Sequence, residues 1–218
     1  MTSKLLKMIA EGEHQRQDFK YCINDSRKIA RSMVAFANTD GGRLLLGIRD
    51  NGSVAGVQSD EEYYMAEAAA KLYSKPPINF QTVQWMIDGK SVLEIAIPKR
   101  ADIPHLAQNE DGKWLVYIRK GDQNIVAPAI LLKVWEQQKS PLGVHIRFSD
   151  EEKRLLSLIA LNQNLSLNQF SRQAKLPRWK GEKILVKLIA IGVVGMEIST
   201  TGTRFFFRDD FVTAKSDF

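Results

Sequence analysis

Cysteine is nearly missing from this chain: Cys22 stands alone among 218 residues. That excludes an internal disulfide and any cysteine-rich zinc module, and it fits a reducing compartment. Histidine is scarce as well, with three residues and no pair at zinc-ligand spacing, so His14 and His105 read as surface or core residues. Long apolar runs are lacking. The longest, residues 184–196, is interrupted by Lys187 and too short to span a bilayer, and the opening MTSKLLKMIAEGEHQRQ has no signal-peptide core. The expectation is a soluble, cytoplasmic protein without a membrane partner.

What is present fits a globular chain, with 44% apolar and 26% charged residues. A net charge of +6 suits a polyanion partner without requiring one. A polar stretch with Pro and Gly, Gln137-Gln-Lys-Ser-Pro-Leu-Gly143, follows an apparent helix over 127–136 and precedes a new helix start. We therefore expect an α+β domain over 1–136, a linker over 137–148 and a second domain over 149–212. Residues 166–208 carry eight basic side chains against Glu182 and Glu197, so the basic excess is concentrated there.

The second domain opens on a capping box, Ser149-Asp-Glu-Glu152, ahead of Leu155, Leu156, Leu158, Ile159 and Leu161. A second capping signature, Ser166-Leu-Asn-Gln169, starts a short helix that ends before Pro177. A third helix runs over 177–191, with Ile184, Leu185 and Leu188 as its buried side and Gly192 as a left-handed cap. Residues 193–198 and 204–208 flank a turn and read as a hairpin. Three helices and a two-stranded wing are the order of a winged helix-turn-helix. In the nucleic-acid reading, Arg178, Lys180, Lys183 and Lys187 lie near bases or phosphates, while Arg204 or Arg208 touches backbone. In the alternative reading these side chains only solvate an exposed face. Trp179 reads as a packing residue.

In the first domain, Leu5 to Ile9 predict a helix closed by Gly12, and residues 18–21 a short strand. A helix over 26–38 precedes a strand over 43–48, and Asp50-Asn-Gly52 closes a turn towards residues 54–57. A helix near 60–73, a hairpin turning at Asp88-Gly89 and a strand over 114–119 follow. Asp88-Gly-Lys-Ser91 mimics the tail of a P-loop, but Gln84 occupies the first glycine position and the segment joins two strands. Gly41-Gly42 precedes a strand rather than opening a helix, which excludes a dinucleotide fingerprint. No serine-hydrolase elbow or zinc-peptidase helix is present.

Asp18-Phe-Lys20, Ala35-Phe-Ala-Asn-Thr-Asp-Gly-Gly42, Leu46-Gly-Ile-Arg-Asp50, Gly52, Gly56 and Tyr117-Ile-Arg-Lys-Gly121 together resemble the AlbA-like domain of the Schlafen family. The similarity covers roughly residues 10–130, and Asn38, Gly41, Gly42, Gly47, Gly52 and Gly56 mark its structural motif. The resemblance implies an AlbA-like mixed α/β fold. Bacterial relatives often join this domain to a winged helix and are commonly described as DNA-binding or transcriptional-regulator proteins. Animal members include metal-dependent tRNA and rRNA endonucleases that use three acids, which the motif places at Glu13, Asp18 and Asp50. Most of the family has glutamate where Asp18 stands, one methylene longer.

Three converging carboxylates can hold Mg²⁺ or Mn²⁺ and activate a bound water. A spacing of five separates Glu13 and Asp18 on both helix and strand, so their convergence requires a helix-to-strand break over 12–17. Asp50 equally suits a turn residue, Glu13 and Asp18 suit surface acids, and Lys20 and Arg119 could neutralise phosphate or pair with the acids. The favoured expectation is a nucleic-acid-binding regulator of transcription, with DNA preferred to RNA, no certain cofactor and a homodimer as one option. The alternatives are a divalent-metal-dependent endoribonuclease and a non-catalytic protein-interaction module.

Overall fold

Asp25 accepts a hydrogen bond from the Arg27 amide at 2.8 Å and so caps the helix on which the first unit is built, α2 (Ser26–Asn38). In the computed structural model, residues 2–57, 60–99, 104–141, 143, 150–161 and 164–208 are described. They fall into two compact units, Met1–Ala127 and Pro128–Phe218.

In the first unit, β1 (Gln17–Lys20) runs parallel to β2 (Gly42–Leu46), with α2 as the crossover that a parallel pair needs. The sheet continues through β5 (Lys90–Ile97) to β4 (Gln81–Ile87), both antiparallel. Asp88 and Gly89 both have positive φ, the geometry of the tight turn their sequence predicts. Strand β2 is apolar from Leu44 to Leu46 because both its faces are covered there: Leu44 and Leu46 pack with Met33, Val34 and Phe36 of α2, whereas Leu45 joins Leu5 and Met8 of α1 (Thr2–Glu11). Helix α3 (Glu61–Lys71) adds Ala66, Ala69 and Ala70 to the α2 side. A second antiparallel sheet, β3 (Ser74–Lys75), β6 (Leu106–Gln108), β7 (Trp114–Lys120) and β8 (Gln123–Val126), also packs on α2, through Ala107 and Tyr117.

The second unit holds α4 (Ala129–Lys139), α5 (Asp150–Leu161), α6 (Leu167–Gln173), α7 (Arg178–Ala190) and the antiparallel hairpin β9 (Val194–Ser199) and β10 (Gly202–Phe207). The capping box at Ser166 and Gln169 forms as the sequence predicts. Helix α7 ends in a Schellman motif, with Val193 bonded to the Leu188 carbonyl at 3.0 Å, Gly192 bonded to that of Ile189 at 2.9 Å, and Gly192 at φ +80°. Lys175 repeats that geometry after α6 at φ +53° without the help of a glycine. Helices α6 and α7 approach so closely that a Cβ on Gly181 would fall 2.5 Å from Ser171 Oγ.

One boundary differs from expectation. Helix α4 was assigned to the first domain, but Ile130 and Val134 are buried with Leu155, Leu185 and Leu188, so their apolar stripe completes the second core. The polar stretch after α4 is a connection inside the second unit. Ser149 of the expected first capping box, and residues 142 and 144–148 of the expected linker, lie outside the described residues. Among the described residues no helix is long and apolar enough to cross a membrane.

Candidate functional site

Helix α1 stops at Glu11 and β1 begins at Gln17, with Gly12 at φ +71° and a bridge between His14 and Gln17 in the turn. This break brings Glu13 back against β1. Its Oε1 accepts from the Phe19 amide at 2.8 Å, and its carboxyl contacts that of Asp18. Partial burial first, and the Asp18 carboxylate second, raise the Glu13 pKa above its ordinary value of 4.5.

Asp18 is itself 3% exposed. Lys20 Nζ lies 2.9 Å from its Oδ2 and Arg119 Nη2 lies 3.4 Å from its Oδ1, while Ser32 Oγ donates to Oδ2 at 3.4 Å. Arg119, 2% exposed, spends its other donors on the Gly121 carbonyl at 3.1 Å, Asn124 Oδ1 at 3.0 Å and the Gln17 carbonyl at 3.1 Å. Its guanidinium sits 4.9 Å from the Phe36 ring centre. Of the two roles open to Arg119, phosphate contact or pairing with the acids, the buried and internally bonded side chain takes the second: it pairs with Asp18 and ties β7 to β1. Lys20 keeps its ammonium near the surface but also donates to the Phe19 carbonyl.

Asp50 stands apart from this pair. It is exposed, and the side-chain bonds of its turn are made by Asn51, whose Oδ1 accepts from Ser53 N at 3.0 Å and Ser53 Oγ at 2.7 Å. Among the described residues no group of three His, Cys, Asp or Glu is placed to hold a metal ion. Of the three acids that the family resemblance brings together, Glu13 and Asp18 meet, and Asp50 stands in its turn, the other reading open to it. Moreover, the Asp18 oxygens already face two cations, so the donor set does not fit Mg²⁺ or Mn²⁺.

The Ala35–Gly42 motif is a set of ties. Asn38 Nδ2 donates to the His105 and Tyr117 carbonyls, both at 2.8 Å, and its Oδ1 accepts from His105 N at 2.8 Å. Thr39 Oγ1 accepts from Arg119 N at 2.9 Å, and Asp40 accepts from Gln15 at 2.9 Å. A Cβ on Gly41 would meet the Lys99 amide at 2.8 Å, and one on Gly42 would enter the Phe36 ring. Gly47 and Gly56 pack backbone against backbone, with Gly56 N bonded to the Gly47 carbonyl at 2.9 Å, and Gly52 closes the Arg49 turn at 2.8 Å. His105 is buried, with Nδ1 2.8 Å from the Pro76 carbonyl.

In the second unit, Trp179, which reads from the sequence as a packing residue, is 66% exposed in the first turn of α7. Lys183, one turn on, and Arg178 beside it are also exposed. Lys180 and Lys187 are half-buried and have partners of their own. Arg178 Nε donates to Asn168 Oδ1 at 3.1 Å, and Arg204 of β10 donates to Gln169 Oε1 at 2.9 Å. Arg204 and Arg208 are exposed on the hairpin.

These features define a mixed α/β unit tied together by the Asn38 and Arg119 networks. A sequence model of the Schlafen, AlbA_2 family matches residues 13–128, more than half of the chain, and the chain belongs to that family. Among solved structures, the DIP2311 protein from Corynebacterium diphtheriae is 17% identical with a TM-score of 0.45. That likeness covers 72% of this chain and 38% of the Corynebacterium chain. The N-terminal domain of a RecG-related protein from Nitrosomonas europaea is 21% identical with a TM-score of 0.37, covering 57% of this chain and 95% of that domain. No curated protein matches the chain. Family membership rests on the match over residues 13–128.

Proposed function

We propose that this protein is a cytoplasmic, DNA-binding regulator in which the AlbA-like unit is joined to a winged helix formed by α5, α6, α7 and the β9–β10 hairpin. The observation that carries the reading is Trp179. An indole left 66% exposed in the first turn of α7, one turn from Lys183 and beside Arg178, is costly in water and useful against a base or sugar face. The first turn of a second helix after a tight turn is where a helix-turn-helix presents its reading residues. Arg204 and Arg208 supply cations on the hairpin for the phosphate backbone.

The endoribonuclease reading is supported only by the Glu13–Asp18 contact. Asp50 is separate, and Lys20 and Arg119 neutralise Asp18. Incubating the full chain with labelled duplex DNA and with tRNA, with and without Mg²⁺ or Mn²⁺, separates the two. Salt-sensitive binding of duplex without cleavage of either is the expected result. Metal-dependent cleavage of tRNA would reverse the assignment.

A further inference from the structure

Strand β4 ends the first sheet and has a neighbour, β5, on one side only. The two-residue turn at Asp88 and Gly89 makes Ile87 and Lys90 a hydrogen-bonded pair, so Trp85, Val83 and Gln81, at alternate positions of an unbroken register, are the others bonded to β5. The amides and carbonyls of Met86, Gln84 and Thr82 therefore point away from the sheet. Among the described residues no backbone or side-chain group bonds to them.

The other strand edges are guarded. On β1, the Phe19 amide is bonded to Glu13 at 2.8 Å, its carbonyl to Lys20 at 2.7 Å, and the Gln17 carbonyl to Arg119 at 3.1 Å. In the second unit, Phe205 of β10 exchanges two backbone bonds with Leu165, and β9 carries Glu197. Strands β3 and β8 are only two and four residues long. Charge, proline, bulges, shortness and cover are the devices that keep sheet edges from pairing. Strand β4 has none of them: it is seven residues long, without charge, proline or bulge, and it leaves Val83 45% and Met86 60% exposed.

The sequence of the edge says which strand fits it. A two-fold axis at Gln84 sets β4 antiparallel to itself, with Gln84 opposite the second copy's Gln84 and Thr82 opposite its Met86. These are the residues whose backbone groups are free, and they would exchange about six main-chain hydrogen bonds. A two-fold pairing also brings like charges together, so a charged edge would repel itself; residues 76–87 carry no charge at all. The side chains match in the same register. On the α1 face, exposed Val83 falls beside the second copy's Trp85, and on the other face Met86 falls beside Thr82. Gln84 Nε2 donates to Ser91 Oγ at 2.8 Å, which leaves its Oε1 to accept from the facing amide.

We propose that the protein is a homodimer joined edge to edge through β4, so that the four-stranded first sheets of two copies run on as one sheet. The pairing involves neither DNA nor the exposed face of α7, and it stands or falls apart from the DNA-binding reading.

Sedimentation equilibrium of the full chain without nucleic acid, from about 1 to 100 µM, tests this, and a reversible monomer–dimer equilibrium is expected. Gln84→Lys sets two ammonium groups against each other at the axis and should weaken the dimer roughly tenfold or more, with the fold retained by circular dichroism; Gln84→Glu should do the same. An equimolar mixture of the two variants should restore the dimer, because this register sets the lysine of one chain against the glutamate of the other. Cross-linking in a Cys22→Ser background reads the register directly. Gln84→Cys should form a disulfide between copies on mild oxidation, since the Cα atoms of such a pair lie about 5.5 Å apart, whereas Met86→Cys, about 14 Å from its counterpart, should not. A wild-type chain that stays monomeric at about 100 µM, a dimer that neither charge variant weakens, or cross-linking as efficient from Met86→Cys as from Gln84→Cys would overturn the proposal.

Discussion

Asp18 and Arg119, separated by 101 positions, meet in a buried ion pair at 3.4 Å that joins the two sheets of the first unit. A guanidinium so deeply placed is tolerated because carbonyls, Asn124 and the Phe36 face take the donors Asp18 leaves. Arg119→Ala removes all of these at once and leaves Asp18 with Lys20 and the Ser32 hydroxyl. It should destabilise the fold by about 3–5 kcal/mol, read by urea denaturation of the full chain. Arg119→Lys should recover less than half, since an ammonium cannot reproduce the fork. A variant within ~1 kcal/mol of wild type would show that the clamp is not a stabilising element.

Asn38 ties α2 to two carbonyls and one amide on the segments carrying His105 and Tyr117. At roughly 1 kcal/mol for each hydrogen bond, with buried groups left unpaired, Asn38→Ala should lose on the order of 3 kcal/mol. Hydrogen exchange at the His105 amide should accelerate relative to that at Leu44. Unchanged exchange at His105 would contradict the tie.

Much of this framework is legible in the sequence, for identifiable reasons. Helix 26–38, the Asp88-Gly89 hairpin, the Ser166 capping box and the Gly192 cap are set by local geometry within a few residues, and each forms where the pattern places it. What escapes is fixed by distant partners. Strands β3 and β6 are two and three residues long, too short for any periodicity to register. The apolar stripe of α4 announces burial but not against which core. Strand β7 is buried on both faces from Val116 to Arg119, so alternation gives no sign that Arg119 points inward. Trp179 is the converse case, since an indole beside a helix start reads as core from composition alone.

Glu13 has a raised pKa, so protonation favours the folded state over the unfolded one. The stabilisation this gives is complete below the ordinary carboxylate value of 4.5 and is lost as pH climbs through the raised native value. Glu13→Gln keeps an oxygen for the Phe19 amide and removes the ionisation. The variant should therefore melt above wild type at pH 7, and the two should converge below pH 4.5. A gap independent of pH would assign the effect to packing rather than charge.

Because Asp50 stands outside the Glu13–Asp18 pair, Asp50→Asn should leave the response to divalent cations unchanged. A ligand bound only by the native state at a hundredfold excess over Kd would add about 2.7 kcal/mol, a readily visible rise in melting temperature. Wild type and Asp50→Asn are expected to show the same small shift in Mn²⁺. A rise in wild type that Asp50→Asn abolishes would show that metal draws the third acid in.

Trp179 and Lys183 share one exposed face of α7 and contribute little to the second core, so their removal should separate binding from folding. Trp179→Ala should leave the melting temperature within ~2 °C of wild type, because a surface substitution away from caps and cores changes stability by about 0.5 kcal/mol or less. Its affinity for duplex DNA should nonetheless fall roughly tenfold, the loss of about 1–2 kcal/mol expected when a stacked aromatic surface is removed. Lys183→Ala should act differently. A phosphate contact releases counterions, so losing it should weaken all duplex sequences alike and reduce the slope of log affinity against log salt by about 1. Fluorescence anisotropy of a labelled duplex from 50 to 200 mM salt measures both. If neither variant differs from wild type in affinity or salt slope, α7 does not meet the duplex.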